Sequence, residues 1–110
     1  MPFDFSVKIS GPVGAPAAFI PQGGNAGDPL TVKVNDTVTW GNDTNVSHLP
    51  WPTDSQHNLL PLPFAPELSQ PIAGQQSSNT WVVVGKPGRI DYRCAEHPHA
   101  EEFGTVVITT

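Results

Sequence analysis

The sequence predicts an all-β domain, an antiparallel Greek-key β-sandwich of about seven to eight short strands. Three observations lead there. Thirteen prolines and ten glycines interrupt 110 residues, which leaves no room for long helices, because proline removes a backbone donor and clashes inside a helix. Several short runs alternate apolar and polar residues with a period of two. Turn-forming residues separate these runs at the spacing expected of a sandwich.

Taken in order, "FSVKIS" (5–10) alternates and reads as the first strand. The 11–29 stretch is a turn-rich connection, with Phe19 and Ile20 as a short edge segment. "LTVKV" (30–34) puts Leu30, Val32 and Val34 on one face and Thr31 and Lys33 on the other. Asn35-Asp36 is turn chemistry, since both tolerate a left-handed backbone, so 30–34 and "TVTW" (37–40) read as a hairpin. A short strand is expected at Val46–Leu49. The stretch from Thr53 to Gln76 is the least regular, with at most one helical turn near Ala65–Gln70. "NTWVVV" (79–84), "IDYRC" (90–94) and "GTVVITT" (104–110) complete the set, with "GKPGR" (85–89) as a tight turn before "IDYRC".

Residues 1–110 are one domain, long enough to bury roughly two-thirds of its unfolded surface. The single cysteine can form no internal disulfide. A formal charge of −5 argues against a nucleic-acid partner, which requires a basic surface. No stretch approaches the roughly 18 apolar residues of a membrane span. "MPFDFSVKI" enters a strand pattern almost at once, as a mature chain does after its leader is removed.

The chemistry concentrates in "CAEHPHAEEFG" (94–104), which holds the only cysteine and two of the four histidines. Cys94 and His97 stand in C-x-x-H between two strands, and His48 is a third donor upstream. One thiolate and two imidazoles in a trigonal set with a weak axial donor suit a copper ion that alternates between Cu(I) and Cu(II). The bland alternative is that Cys94 is a small buried hydrophobe and that the histidines are solvated. His57, in the proline-rich loop, and His99 both read as exposed side chains.

Together, "GDPLTVKVNDTVTWGND…H", "KPGRIDYRC" and "CAEHP…GTVVI" resemble the cupredoxins, the small blue copper proteins that include plastocyanin, amicyanin and pseudoazurin. The resemblance runs from Gly27 onward. It implies one copper ion held by His48, Cys94 and His97, one-electron transfer without substrate turnover, and a monomer. It also implies a redox partner protein that docks near His97, and a periplasmic or secreted location. Zinc could fill the same donors tetrahedrally.

The sequence departs from the family at the axial position. Two residues before Gly104, where these proteins place methionine, stands Glu102; the only methionine is Met1. A carboxylate is a hard, anionic donor that favours Cu(II), so Glu102 as ligand implies a lower potential and a green- or red-shifted colour. The alternative leaves Glu101 and Glu102 as a solvated acidic turn, with water, a backbone carbonyl or nothing on the axis.

Leu49 and Ala95 occupy the places where many relatives carry asparagine and serine or threonine. Outer-shell bonds orient ligands and tune potential, so a looser site, or one held by packing from Pro50, Trp51, Pro98 and Phe103, is expected. A looser site with a carboxylate also suits copper storage, delivery or sensing, and an open position would suit a small molecule such as nitric oxide.

Overall fold

The computed structural model describes residues 3–11, 17–95 and 103–109. Among the described residues there are eight strands: β1 (Asp4–Ser10), β2 (Ala18–Pro21), β3 (Leu30–Lys33), β4 (Thr37–Asn42), β5 (Pro50–Thr53), β6 (Trp81–Val82), β7 (Gly88–Cys94) and β8 (Phe103–Thr109). They form two four-stranded sheets, ordered β2-β1-β4-β6 and β3-β8-β7-β5. The all-β sandwich is as the sequence predicts.

Its sheets, however, are mixed: β1 runs parallel to β4 and β3 parallel to β8, while the other pairs are antiparallel. The reason lies in the connections. Every connection from β2 through β7 crosses between the sheets, and only β1–β2 and β7–β8 join neighbours. The expected hairpin at Asn35-Asp36 is one of these crossings: β3 and β4 lie in different sheets.

The chemistry of that turn is as expected, with Asn35 left-handed at φ 81°. Its hydrogen bonds make it a crossing. The buried Asp36 carboxylate accepts from the backbone amides of Phe3 (2.9 Å) and Lys33 (2.8 Å). Val83 and this turn then exchange backbone hydrogen bonds, Val83 N to Asp36 O and Asn35 N to Val83 O. The Asp36 side chain thus satisfies the Lys33 amide, which a hairpin partner would otherwise satisfy, and ties the turn to Phe3 ahead of β1.

A second difference concerns β5. The strand expected at Val46–Leu49 falls instead at Pro50–Thr53, and His48 makes only an isolated bridge with Ile72. Two prolines fit because β5 is an edge strand. Ala95 N donates to Leu49 O on the β7 side, and Leu60 N donates to Pro52 O on the other. By alternation Pro50 and Pro52 turn their missing N–H groups away from the sheet. The expected helical turn is a single 3-10 turn, Pro66–Leu68, which buries Leu68 in the core.

The core is layered by alternation. Val7, Ile9, Phe19, Val38, Trp40, Trp81 and Val83 point inward from one sheet, and Leu30, Val32, Tyr92, Cys94, Val106 and Ile108 from the other. Tyr92 is central. Its ring meets Phe19 edge-on at 4.7 Å and Trp40 at 5.7 Å, and its hydroxyl accepts from Trp40 Nε1 at 3.3 Å. Burial raises the Tyr92 phenol well above its usual range, so the ring stays neutral. Tyr92 faces Gly104 across β7 and β8, and a Cβ on Gly104 would lie 2.3 Å from Tyr92 Cζ. Glycine is therefore required here for the ring to cross its partner strand.

Gly104→Ala should cost about 1–3 kcal/mol by overpacking, read as a lower urea midpoint with an unchanged m-value; an unchanged midpoint would show that the ring does not press on this strand. The Phe3 amide first, and the Lys33 amide second, hold the Asp36 carboxyl below the usual carboxylate range. A folded value below the unfolded one contributes stability that is complete above the unfolded value of about 3.9 and is lost as pH falls through the folded value. The stability gap between the wild type and Asp36→Asn should accordingly be full at neutral pH and narrow below about pH 4, as measured by denaturant unfolding across pH.

Candidate metal centre

Two of the four residues expected at the centre, His48 and Cys94, are described by the structure, and they meet. The His48 Nδ1 lies 3.5 Å from Cys94 Sγ, and the two residues are 3% and 0% exposed. His97, Glu102, Glu101, His99 and Pro98 lie outside the described residues. Accordingly, no group of three or more histidine, cysteine or acidic side chains gathers among the described residues.

Alternation along β7 explains the position of Cys94. Tyr92 points into the core, so Cys94, two residues on, points the same way at the end of the strand. His48 reaches it from the connection between β4 and β5. His48 and Ile72 exchange backbone hydrogen bonds at 3.1 and 2.7 Å, which fixes the histidine backbone against the 72–73 segment.

Below that bridge sits Asn42, buried at the end of β4. Its Nδ2 donates to the carbonyls of Val46 (2.7 Å), Ile72 (2.9 Å) and Ala73 (3.3 Å). Its Oδ1 accepts from the Thr44 amide (3.0 Å) and hydroxyl (2.7 Å). One side chain thus ties the His48 connection to the segment it pairs with. Gly74 completes the join: a Cβ there would lie 2.8 Å from the Asn45 carbonyl carbon, so only glycine lets the two backbones approach.

Asn42 belongs to no ligand or turn motif in the sequence. Its signal was a lone polar residue at an inward position of an alternating strand, "TVTWGN", where a sandwich core wants a hydrophobe. A buried amide there must spend its hydrogen bonds on backbone groups.

Backbone groups also replace the side-chain bridges whose loss the sequence suggested. The Leu49 amide donates to Cys94 Sγ at 3.4 Å, and the Ala95 amide donates to Leu49 O at 2.8 Å. The His48 and Cys94 segments are therefore laced together, and Leu49 and Ala95 need no polar side chains for it. Trp51 is half-buried, pairs with Arg93, and donates its Nε1–H to Leu60 O at 2.7 Å. Phe103 is half-buried and stacks on His57 at 3.9 Å with the rings 14° apart. The expectation of a merely solvated His57 is corrected to that extent: its surface is exposed, but one ring face is covered.

The donor pair fits a metal of the expected kind. Bonds of about 2.0 Å to imidazole nitrogen and about 2.3 Å to thiolate sulfur, meeting at a tetrahedral to trigonal angle, separate the donors by about 3.5–3.7 Å. The observed 3.5 Å matches that span. The Leu49 amide dipole aimed at sulfur favours the thiolate, the form that binds metal.

Asn42→Ala should cost about 1–3 kcal/mol, because it removes a buried amide that bonds both segments at once, while Val46 O, Ile72 O and Ala73 O each keep one other donor. Asn42→Asp should be no milder, since a carboxylate would face three carbonyl oxygens. Urea unfolding measures both, and stabilities within about 0.5 kcal/mol of wild type would remove Asn42 as the tie.

No family model matches the sequence, and no curated protein is similar to it at the sequence level. Solved structures do match. A purple cupredoxin from Nitrosopumilus maritimus aligns with a TM-score of 0.66 at 23% identity, covering 94% of this chain and 98% of that one. A mutant fern plastocyanin aligns at 0.60 and 20% identity, over 94% and 99% of the two chains. An amicyanin variant in its Cu(I) form aligns at 0.57 and 23% identity, over 96% and 82%. The chain is thus similar to cupredoxins along nearly its whole length, and it has the cupredoxin fold.

Proposed function

We propose that this chain is a mononuclear copper protein that carries single electrons and turns over no substrate. The observation that carries the reading is the buried His48 Nδ1–Cys94 Sγ pair at 3.5 Å, at one end of a sandwich with the cupredoxin fold. His48, Cys94 and His97 would hold the ion, with the Glu102 carboxylate as a fourth donor. His97 and Glu102 are assigned from the sequence, by the C-x-x-H spacing and by the count back from Gly104.

A bound copper ion supplies a one-electron couple, and thiolate with imidazole accommodates both of its oxidation states. The protein's part is to hold donors still and dry. The Ile72 bridge and Asn42 fix His48. The Leu49 N–H stabilises charge on sulfur. Complete burial of Cys94 keeps water from the thiolate.

The Glu102 carboxylate would add a negative charge that favours the oxidised ion, lower the potential and weaken the copper–thiolate bond. A purple cupredoxin among the structural neighbours supports a fold that is not restricted to blue centres. A redox protein docking around His97 is the partner this role requires, in a periplasmic or secreted setting.

Metal-free protein titrated with Cu(II) should take up one equivalent and develop an intense thiolate-to-copper band in the visible, absent in Cys94→Ser; no band in the wild type would overturn the reading. Glu102→Met should turn the centre bluer and raise its potential, whereas an unchanged spectrum would remove Glu102 from the coordination shell.

A further inference from the structure

The connection between β7 and β8 carries three of the four proposed ligands at its ends or within it, Cys94, His97 and Glu102. Its stem is the cross-strand pair Arg93 and Phe103. A single residue from a different part of the chain touches both members of that pair. The His57 ring stacks face to face on Phe103, with centroids 3.9 Å apart and planes 14° apart. The His57 carbonyl accepts from Arg93 Nε at 3.0 Å.

His57 does not arrive there by accident of a loose loop. Its backbone is left-handed, at φ 66°, a conformation that costs energy outside glycine and persists only where its surroundings fix it. The fixing groups are present. Asp54 Oδ1 accepts from the amides of Gln56 (2.8 Å) and Asn58 (3.0 Å), and Asp54 O accepts from the His57 amide (3.1 Å). Further along, Leu60 N donates to Pro52 O, and Trp51 Nε1 donates to Leu60 O. The 54–60 segment is thereby strapped to β5, and β5 is paired with β7 beside Cys94.

We propose that His57 is a positioning residue that clamps the paired ends of β7 and β8 by stacking on Phe103 and binding Arg93 through its carbonyl, and so limits local fraying of that strand pair beside Cys94. The clamp explains why an exposed histidine adopts a strained backbone and covers one face of a phenylalanine at the root of the ligand-bearing segment. Its bearing on copper rests on the function proposed above; its bearing on Cys94 does not. For a copper centre, a stem that does not move is what keeps the donors at one geometry in both oxidation states.

The test uses the whole chain with His57→Ala and His57→Phe, the second of which keeps an aromatic face. In metal-free protein, the rate at which 5,5′-dithiobis(2-nitrobenzoate) modifies Cys94 should rise about five- to tenfold in His57→Ala, the scale of one lost aromatic pair. It should stay within about twofold of wild type in His57→Phe. The urea midpoint of each variant separates this local opening from global unfolding. An unchanged rate in His57→Ala, or an increase fully accounted for by lower global stability, overturns the clamp. In copper-loaded protein the visible band should shift in His57→Ala and not in His57→Phe. Wild type that takes up no copper, with the thiol rates as expected, would sink the copper reading while leaving the clamp standing.

Discussion

The contact on which this molecule depends is the Tyr92 ring. It is the point where the two sheets are registered: it packs on Phe19 and Trp40 from the opposite sheet, takes a hydrogen bond from Trp40 Nε1, and lies across Gly104 on its own sheet. Because side chains alternate along a strand, fixing Tyr92 inward also fixes Cys94 inward two residues later. Cys94 thus reaches the end of the sandwich already buried, and the chemistry of the site follows from a packing decision in the core. A slip of β7 by one residue would turn the thiol to the outer face and bring Arg93 into the core.

On the other side of the site, a polar residue has the equivalent role. Asn42 occupies an inward position of β4 one alternation beyond Trp40, where the core ends and the connections begin. There it holds carbonyls from the two segments that the His48–Ile72 backbone bridge also joins. His48 is then delivered to within 3.5 Å of the sulfur by its backbone bridge to Ile72 and by Asn42. The Leu49 amide to Cys94 Sγ and the Ala95 amide to Leu49 O join the two segments without any polar side chain at positions 49 or 95. A site laced through main chain is insensitive to which side chains occupy positions 49 and 95, so two apolar residues there do not imply a loose site.

What was legible in the sequence was whatever depends on periodicity and on donor chemistry. Strands β1, β3, β7 and β8 follow from alternation, and His48 with Cys94 from ligand type. What was not legible depends on long-range partners. Asn35-Asp36 has the same local chemistry whether it closes a hairpin or a crossing between sheets; the difference is set by Phe3 and Val83, distant in sequence. Pro50 and Pro52 argue against a strand unless the strand is known to be an edge. His57 looks like any loop histidine until Phe103 and Arg93 are brought beneath it. The proposal of Glu102 as a donor is a matter of counting along the chain and rests on the sequence.

The central claim is that the buried imidazole–thiolate pair is one edge of a copper coordination set. Copper K-edge X-ray absorption of the loaded protein tests it most directly, because it identifies the atoms bound to the metal without reference to colour or activity. The account predicts one short sulfur scatterer at about 2.2–2.3 Å together with imidazole nitrogens at about 2.0 Å. A first shell of nitrogen and oxygen alone, with no sulfur, would contradict it.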